Sequence, residues 1–477
     1  MKQLTRDAAF ALPIKVLQFG EGNFLRAFVD WQIDLLNERT GLDAGVVIVR
    51  PIARADMPLL DTQGGMYTTL IRGLNEEGEA VKDYRQISCI QREVDVASMY
   101  QEYLQLAHIP TLRFVISNTT EAGIAINDTD TYDAAPAQAY PAKLTRLLHE
   151  RFTHFNGAED KGLVLLPCEL LDHNGELLKA AVKHFAALWQ LGEAFSLWLD
   201  QACTFCSTLV DRIVTGYPRE EMAEIEQELG YRDHFLVTAE YFYLFVIEGP
   251  QWLADELHLT NSGLNIQLVD DITPYKQRKV GVLNGGHTAM VPVALLAGLE
   301  TVREAVDDLD VGQFLLKALD QEIIPALPLS RDELDSFAAD VLRRFRNPFI
   351  RHRLESIALN SWSKFAARVM PQLRTCIEEH GRLPVRLVLA LAATMHLYRG
   401  QQIKLADDAA NLEWFTTAWS RVEQGEWSLH TMAVEWLGYT PLWGSDLNGL
   451  AGLTEALTDA LAQIAQHGMR HTLQSIA

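Results

Sequence analysis

Residues 14–23 read Ile14-Lys-Val-Leu-Gln-Phe-Gly-Glu-Gly-Asn23, a short apolar run directly followed by two glycines. The apolar run predicts a strand, and apolar residues at helical spacing over 24–36 predict an amphipathic helix after it. Residues 46–49 then form a compact apolar segment that predicts a second strand. A strand, a glycine-rich turn, a helix and another strand are typical of the start of a dinucleotide-binding unit. The stretch therefore predicts an α/β fold with an N-terminal Rossmann-like, doubly wound sheet domain.

The two glycines suggest how the turn would hold a pyrophosphate. Gly20 allows the tight turn, Gly22 admits the phosphates close to the backbone, and the helix N-terminus presents unpaired N–H groups to them. Leu25 stands where a third glycine is usual, so an ordinary strand-to-helix turn is the alternative. Arg50 follows the second strand, where it either suits the 2′-phosphate of NADP or is a surface residue. The residues alone leave the choice of nicotinamide cofactor open.

Later segments predict that the parallel sheet continues and that a second domain follows it. Apolar strands are expected at residues 114–118, 163–167, 207–214 and 265–269. Asn118 ends the first of them, at the edge where open α/β sheets bind ligands, so it is either a cofactor contact or a turn residue. Helical periodicity dominates beyond about residue 271. We expect a dinucleotide-binding domain over residues 1–270 and a largely α-helical substrate-binding and catalytic domain over residues 271–477.

The composition limits the classes of partner. The 477 residues carry a formal net charge of −22, which disfavours nucleic acid and anionic membranes because both need a basic surface. The N-terminus lacks the apolar core of a signal peptide, and the longest apolar run is too short to span a bilayer. Five cysteines predict reduced thiols and a cytoplasmic location, and Cys203 and Cys206 form only half of a zinc motif. We therefore expect a small-molecule substrate, no metal, and a monomer or homodimer.

A second stretch, Lys279-Val-Gly-Val-Leu-Asn-Gly-Gly-His287, combines three polar groups that are common in catalysis. On an α-helix Asn284 and His287 share a face, and Lys279 is offset from His287 by roughly 80°. The glycine pair between Asn284 and His287 lets another backbone or a ligand approach closely. The alternative is the buried start of a helix with a solvated lysine, since three polar residues in nine are common.

Residues 343–353 contain five arginines in an otherwise acidic chain. Guanidinium groups in such a cluster suit a carboxylate or a phosphate through paired hydrogen bonds. The alternative is a solvated helix face on which the arginines pair with nearby acids. We expect one or two of them at most to contact a ligand.

These motifs together resemble the mannitol dehydrogenase family of long-chain, metal-independent polyol and sugar-acid dehydrogenases. The resemblance lies in Gly20-x-Gly22-x-Phe24-x-Arg26, in Val210-Asp-Arg-Ile213, and above all in the Lys-x4-Asn-x2-His spacing of residues 279, 284 and 287. It extends from about residue 14 to about residue 400 and is looser towards the C-terminus. It implies an NAD-dependent oxidoreductase that acts on a small sugar acid or polyol.

The resemblance also implies roles for individual residues. Lys279 would be the general acid–base, Asn284 would polarise the substrate oxygen, and His287 would orient the substrate. Lys364 falls where family members use a lysine to bind substrate. The cofactor-binding residues would be Phe19, Gly20, Glu21, Gly22, Asn23, Phe24, Leu25, Arg26 and Asn118.

Two positions depart from the mannitol-specific members. Ser207, which we also expect at the substrate, replaces an Asn of their oxyanion site, and Ser356 replaces an Arg that binds substrate. Both changes favour an acid such as a uronate, whose carboxylate would be bound by Arg351 or Arg353. Two alternatives stay open: a fructuronate/mannonate or polyol-phosphate dehydrogenase of the same family, and a nucleotide-sensing binding protein without turnover.

Overall fold

Two units make up the chain in its computed structural model, which describes residues 2–6, 11–52, 58–120, 122–400 and 402–476. The first unit comprises Met1–Arg72 and Val81–Ile272, and the second comprises Gly73–Ala80 and Thr273–Ala477. No helix within the described residues is long and apolar enough to cross a membrane.

The strands are short and belong mostly to the first unit. They are β1 (Lys2–Gln3), β2 (Ile14–Phe19), β3 (Gly45–Arg50), β4 (Tyr67–Leu74), β5 (Ala80–Ile87), β6 (Ile90–Asp95), β7 (Phe114–Ser117), β8 (Val164–Pro167), β9 (Thr204–Phe205), β10 (Ser207–Asp211), β11 (Val214–Gly216), β12 (Tyr231–Arg232), β13 (Val237–Glu240), β14 (Leu244–Glu248) and β15 (Ile266–Val269). The helices of this unit are α1 (Asn23–Thr40), α2 (Tyr100–Gln105), α3 (Tyr140–His154), α4 (Asn174–Leu188), α5 (Glu193–Gln201), α6 (Met222–Leu229) and α7 (Leu253–Glu256).

The second unit is built from helices. They are α8 (Thr273–Arg278), α9 (Gly286–Leu296), α10 (Val302–Asp307), α11 (Leu309–Ala318), α12 (Arg331–Phe345), α13 (Leu354–Ile357), α14 (Ser361–Arg368), α15 (Met370–Glu378), α16 (Val385–Leu397), α17 (Ala409–Glu423), α18 (Leu429–Leu437), α19 (Thr440–Trp443) and α20 (Leu453–Ser475). Two further segments, Lys279–Gly285 and Leu319–Ile323, are π-helices. Short 3₁₀ helices among the described residues of both units are Leu60–Gln63, Leu106–His108, Glu159–Lys161, Ile324–Ala326 and Leu447–Gly449.

A six-stranded sheet in the order β6-β3-β2-β7-β8-β9 is the centre of the first unit, and all its neighbouring strands are parallel. The chain runs outward from β2 through β3 and β6, then crosses to the other side and runs outward through β7, β8 and β9. This is the doubly wound order of dinucleotide-binding domains, with the reversal between β2 and β7. The predicted N-terminal fold is confirmed.

Side chains on this sheet alternate between two apolar cores, because successive residues of a strand face opposite sides. Val16 packs in a core with Phe28 of α1, whereas the next residue, Leu17, packs in a second core with Leu147 of α3. Both faces are therefore covered, as a parallel sheet requires. Because β2 and β7 are parallel neighbours, their carboxyl ends lie side by side at the same end of the sheet.

The prediction of one strand over residues 207–214 in a continuous sheet is wrong. The segment forms β10 and β11, which belong to a three-stranded sheet (β10-β14-β15) and a four-stranded sheet (β11-β13-β4-β5). The chain leaves the first sheet at Arg212, whose buried guanidinium donates to the carbonyl oxygens of Glu240 (3.0 Å) and Ala27 (2.9 Å). Likewise β15, expected in the parallel sheet, lies beside β14 in the three-stranded sheet. An apolar run predicts a strand but does not identify its partner.

The second unit confirms the predicted helical domain. Within its described residues after Thr273 there are helices and no strand of two or more residues. Helices α9 and α16 are buried along almost their whole length and pack against each other, and α16 also packs against α20. A helix that is apolar on all sides belongs in the interior, so α9 holds a central position.

Candidate active site

The Lys279–His287 segment begins as a π-helix, which corrects the α-helical arrangement expected from its spacing. The π-helix covers Lys279–Gly285 and continues directly into α9, which begins before His287. Lys279 and Asn284 are five residues apart, which on an α-helix would separate them by about 140°. A π-helix instead bonds residue i to residue i+5, so that residues five apart lie nearly above one another. Both side chains are half-buried, and the π-helical backbone reduces the angle between them.

The glycine pair admits another backbone, as the sequence predicted, and only the first glycine is needed for it. A Cβ atom on Gly285 would lie 2.9 Å from the carbonyl oxygen of Arg368, at the end of α14. A Cβ atom on Gly286 would meet nothing closer than the Leu319 side chain at 3.5 Å, an ordinary contact. The close approach holds the end of α14 against the Asn284–His287 segment.

His287 is a buried, neutral ring. It is 8% exposed, stacks on Phe345 with ring centroids 3.9 Å apart, and meets His352 edge-on at 5.3 Å. Burial lowers the pKa of His287 well below its usual value, and the nearby charges of His352, Arg344, Arg368 and Lys364 act in the same direction. Its Nε2 atom has no hydrogen-bond partner in the described structure. A buried polar atom of this kind is rare unless a ligand or water completes it.

The structure brings Lys364 near His287 but leaves the two predicted arginines at the surface. The Nζ atom of Lys364 donates to the carbonyl oxygen of Ile357 at 2.8 Å, and burial, followed by the charge of Arg368, lowers its pKa. The side chain of Arg351 is 73% exposed, and that of Arg353 is 48% exposed. They lie 3.7 Å from a carboxylate oxygen of Glu300 and 3.3 Å from one of Glu355, respectively.

Sequence reasoning missed Arg368, and it counted Arg344 only as one member of an arginine cluster. Both are among the charges that act on His287. Arg368 is four residues after Lys364 on α14, so the two side chains share one face of that helix. That spacing was a signal present in the sequence.

On the first unit, Gly20 and Asn118 meet at the point where the strand order reverses. Gly20 follows β2 with φ +122°, and a Cβ atom there would lie 3.1 Å from the carbonyl oxygen of Asn118. Asn118 follows β7, and its Nδ2 atom donates to the carbonyl oxygen of Cys168 at 2.6 Å. Open α/β sheets bind ligands at this reversal, outside the carboxyl ends of the strands.

The N-terminus of α1 fits a dinucleotide pyrophosphate. Gly22 is its N-cap, and no side chain caps the helix there. A Cβ atom on Gly22 would have no neighbour within 4 Å among the described residues, so the space in front of the helix is open. The first N–H groups of a helix have no partner within the helix, and they carry its positive dipole end. The turn can therefore receive phosphate oxygens on main-chain donors.

Arg26 stabilises the conformation of this turn from inside the protein and is not part of its exposed surface. It is 4% exposed, and its guanidinium donates to the carbonyl oxygen of Glu21 at 3.1 Å and to Oδ1 of Asn23 at 2.7 Å. It also bonds the carbonyl oxygen of Phe235. These bonds tie both sides of the turn to one buried cation, while Gly22 and Asn23 stay exposed.

Three other predicted cofactor residues place their side chains in or against the core. Phe19 and Leu25 are at most 1% exposed, and Phe24 stacks on Phe28 with ring centroids 5.0 Å apart. Their side chains therefore hold the strand and helix that flank the turn. Any contact of Phe19 or Leu25 with a ligand would come from the main chain.

Arg50 does not occupy the surface position that was one of its two interpretations. It is 1% exposed, which contradicts a surface position, and it is ion-paired with Glu93 at 2.7 Å. Its guanidinium also donates to the carbonyl oxygen of Pro58 at 3.1 Å. These partners show that the Arg50 guanidinium stabilises the fold itself.

Ser207, Cys203 and Cys206 are buried in the first unit. Ser207 is 4% exposed and is the first residue of β10, paired with Glu248 of β14. Cys203 and Cys206 are free thiols, and burial raises the pKa of both to about 12. Within the described residues no group of three or more His, Cys, Asp or Glu side chains is arranged to hold a metal ion.

Comparisons with known proteins cover almost the whole chain. Residues 14–261 match the mannitol dehydrogenase Rossmann domain, and residues 271–465 match the mannitol dehydrogenase C-terminal domain. An altronate oxidoreductase from Pectobacterium carotovorum subsp. carotovorum (strain PC1) is 56% identical over 471 residues, 97% of this chain and 96% of that relative. An altronate oxidoreductase from Escherichia coli O6:K15:H31 (strain 536 / UPEC) is 55% identical over 468 residues, 97% of each chain.

Solved structures of lower identity share the fold. The Pseudomonas fluorescens mannitol 2-dehydrogenase, solved as a ternary complex with NAD and D-mannitol, has a TM-score of 0.66 at 22% identity, covering 99% of this chain and 96% of that one. A D-sorbitol dehydrogenase in substrate-free form has a TM-score of 0.80 at 20% identity, covering 99% of this chain and 100% of that one. At these identities the likeness concerns the fold alone.

Proposed function

Because this chain belongs to the mannitol dehydrogenase family, we propose that it is an NAD-dependent oxidoreductase that interconverts D-altronate and D-tagaturonate in hexuronate catabolism. The observation that carries the substrate is the 56% identity to an altronate oxidoreductase over 97% of the chain. The first unit binds the dinucleotide, and the second unit supplies the catalytic groups.

NAD is held by the turn between β2 and α1. Gly20 and Gly22 give its pyrophosphate access to the main-chain N–H groups at the start of α1, and Asn118 borders the same turn. When bound, NAD supplies or accepts the hydride. Arg50 supports NAD over NADP, because a guanidinium buried against Glu93 is not available to a 2′-phosphate.

Lys279 and Asn284 act on the substrate oxygen. In the reducing direction the Lys279 ammonium donates a proton to the oxygen as the carbonyl becomes a hydroxyl, and in the oxidising direction the amine takes it back. The Asn284 amide donates a hydrogen bond to the same oxygen and stabilises the charge that develops there. The π-helix serves this chemistry because it places two residues five apart on one side of the backbone.

His287 orients the substrate as a neutral ring. Its pKa is lowered by burial, so at neutral pH it carries no charge, and its Nε2 atom has no partner among the described residues. That atom is therefore available for a substrate hydroxyl. The stacked Phe345 ring prevents the imidazole from turning away.

The test is the initial rate of NADH oxidation with D-tagaturonate, D-fructuronate and D-fructose. We expect kcat/KM for D-tagaturonate to exceed the others at least tenfold, which is about 1.4 kcal/mol of differential transition-state binding. A preference for D-fructuronate or D-fructose would move the substrate within the family. A protein that binds NADH but oxidises neither NADH nor NADPH with any of the three would instead be a nucleotide-sensing protein.

A further inference from the structure

Positive charge surrounds His287, although the chain as a whole is strongly acidic. Arg344, Arg368 and Lys364 all act on this ring, whereas the chain contains 63 acidic and 41 basic residues. His287 itself is neutral, so the positive charge comes from these three side chains. A carboxylate acts on two of them, Asp407 on Lys364 and Asp340 on Arg344. No carboxylate of a described residue acts on Arg368. Such a concentration of cations around a buried ring favours a negatively charged ligand.

Among the described residues Arg368 has no acidic partner, unlike surface arginines of the second unit such as Arg353 and Arg374. Its guanidinium is half-buried and makes neither a hydrogen bond nor an ion pair within the described residues. Burial lowers the pKa of Arg368, and no carboxylate raises it. By contrast, Arg374 on the next helix bonds Glu378 at 3.1 Å and Ser445 at 3.2 Å. A partly desolvated charge without a partner destabilises the folded chain. The unpaired guanidinium therefore points to an anion that pairs with it.

The position of Arg368 is determined by the same segment that carries the catalytic residues. Its carbonyl oxygen lies where a Cβ atom on Gly285 would clash, between Asn284 and His287 in sequence. Lys364 is one turn earlier on α14, and the charge of Arg368 lowers the pKa of Lys364. An anion placed beside this helix face relieves the repulsion between them.

We propose that Arg368, with Lys364 one turn before it, binds the carboxylate of the sugar-acid substrate and selects the acid over the neutral sugar. The planar guanidinium donates two parallel hydrogen bonds to the two carboxylate oxygens, a geometry that a lysine ammonium does not reproduce. This inference rests on the proposed function, because it takes a sugar acid as the substrate. It assigns the carboxylate to α14 instead of to the exposed Arg351 and Arg353.

The test compares an acid with its neutral counterpart. The variants Arg368→Gln and Arg368→Lys are assayed with D-tagaturonate and with D-tagatose, which carries CH₂OH in place of the carboxylate. We expect Arg368→Gln to lower kcat/KM for D-tagaturonate about a hundredfold, mainly through KM, and to leave D-tagatose within threefold. Arg368→Lys should fall between Arg368→Gln and the wild type. The control is Arg374→Gln, whose exposed ion pair contributes little, and both substrates should be unaffected.

A second readout does not depend on turnover. With saturating NADH, which cannot oxidise either ligand, D-altronate should raise the melting temperature of the wild type more than D-altritol does, and Arg368→Gln should abolish that difference. Equal losses for acid and neutral sugar, no loss in Arg368→Gln, or a selective loss in Arg351→Gln instead would overturn the proposal.

The two proposals fail differently. If the wild type prefers D-fructuronate, the proposed function fails, and the ratio of D-fructuronate to D-fructose then tests Arg368 in the same way. If the wild type reduces D-tagaturonate but Arg368→Gln does so normally, only the role of Arg368 fails. Inactivity of the wild type with both acids overturns both.

Discussion

The adjacent glycines of the Lys279–His287 segment should respond differently to the same substitution. A methyl group on Gly285 would lie 2.9 Å from the carbonyl oxygen of Arg368, a main-chain atom that cannot rotate away. A methyl group on Gly286 would lie 3.5 Å from the flexible end of Leu319. Both glycines have helical backbone angles, so Gly285→Ala and Gly286→Ala differ in packing and not in backbone strain.

The expected magnitude follows from two terms. Replacing glycine by alanine in a helix gains up to about 1 kcal/mol, and this gain is common to both variants. Overpacking at Gly285 costs about 1–3 kcal/mol because α14 must move. Gly285→Ala should therefore be less stable than Gly286→Ala by about 1–3 kcal/mol, which corresponds to a melting temperature lower by about 2–12 °C in a domain of 150–250 residues.

Scanning calorimetry on the two variants measures this difference, and kinetics with D-tagaturonate measure its consequence. A shift of α14 displaces the backbone of Arg368, so we expect Gly285→Ala to raise KM as well. If Gly286→Ala were as unstable as Gly285→Ala, or less stable, the close approach of α14 would not be what requires glycine here.

Three further predictions concern residues of the proposed catalytic and cofactor sites. Lys279→Ala should keep NADH binding, measured by fluorescence titration, and lose at least about 10²–10⁴ in turnover; normal turnover would remove the acid–base role. Gly22→Ala should leave the melting temperature unchanged, because no described atom lies within 4 Å of the added methyl, yet weaken NADH binding about tenfold by calorimetric titration; unchanged binding would place the pyrophosphate elsewhere. The pKa of His287 lies well below 6.5 in the folded chain, so only the unfolded chain takes up this proton as pH falls below about 6.5. The stability that this difference gives is complete above that pH and is lost at up to about 1.4 kcal/mol per pH unit below it. Between pH 6.5 and 5 the unfolding free energy of His287→Gln should therefore fall less steeply than that of the wild type. Equal slopes would contradict the buried neutral ring.

Local pattern was sufficient for the parts of the fold that depend on neighbours in sequence. The strand before Gly20, the helix after Gly22 and the strand that ends at Arg50 were predictable because apolar periodicity and glycine conformations act over a few residues. The division of residues 207–214 between two sheets was not predictable, because Arg212 bonds the carbonyl oxygens of Glu240 and Ala27, which are distant in sequence.

For the candidate site, the chain order specifies which groups are present, and packing determines how they are used. The sequence by itself determined the Lys279, Asn284 and His287 spacing and predicted that a close neighbour approaches at the glycine pair. Only the tertiary structure turned residues 279–285 into a π-helix, buried Arg50 against Glu93 and brought Arg368 to His287. The physical reason is that hydrogen-bond register, burial and unpaired charge depend on which distant elements meet, and no local pattern encodes those meetings.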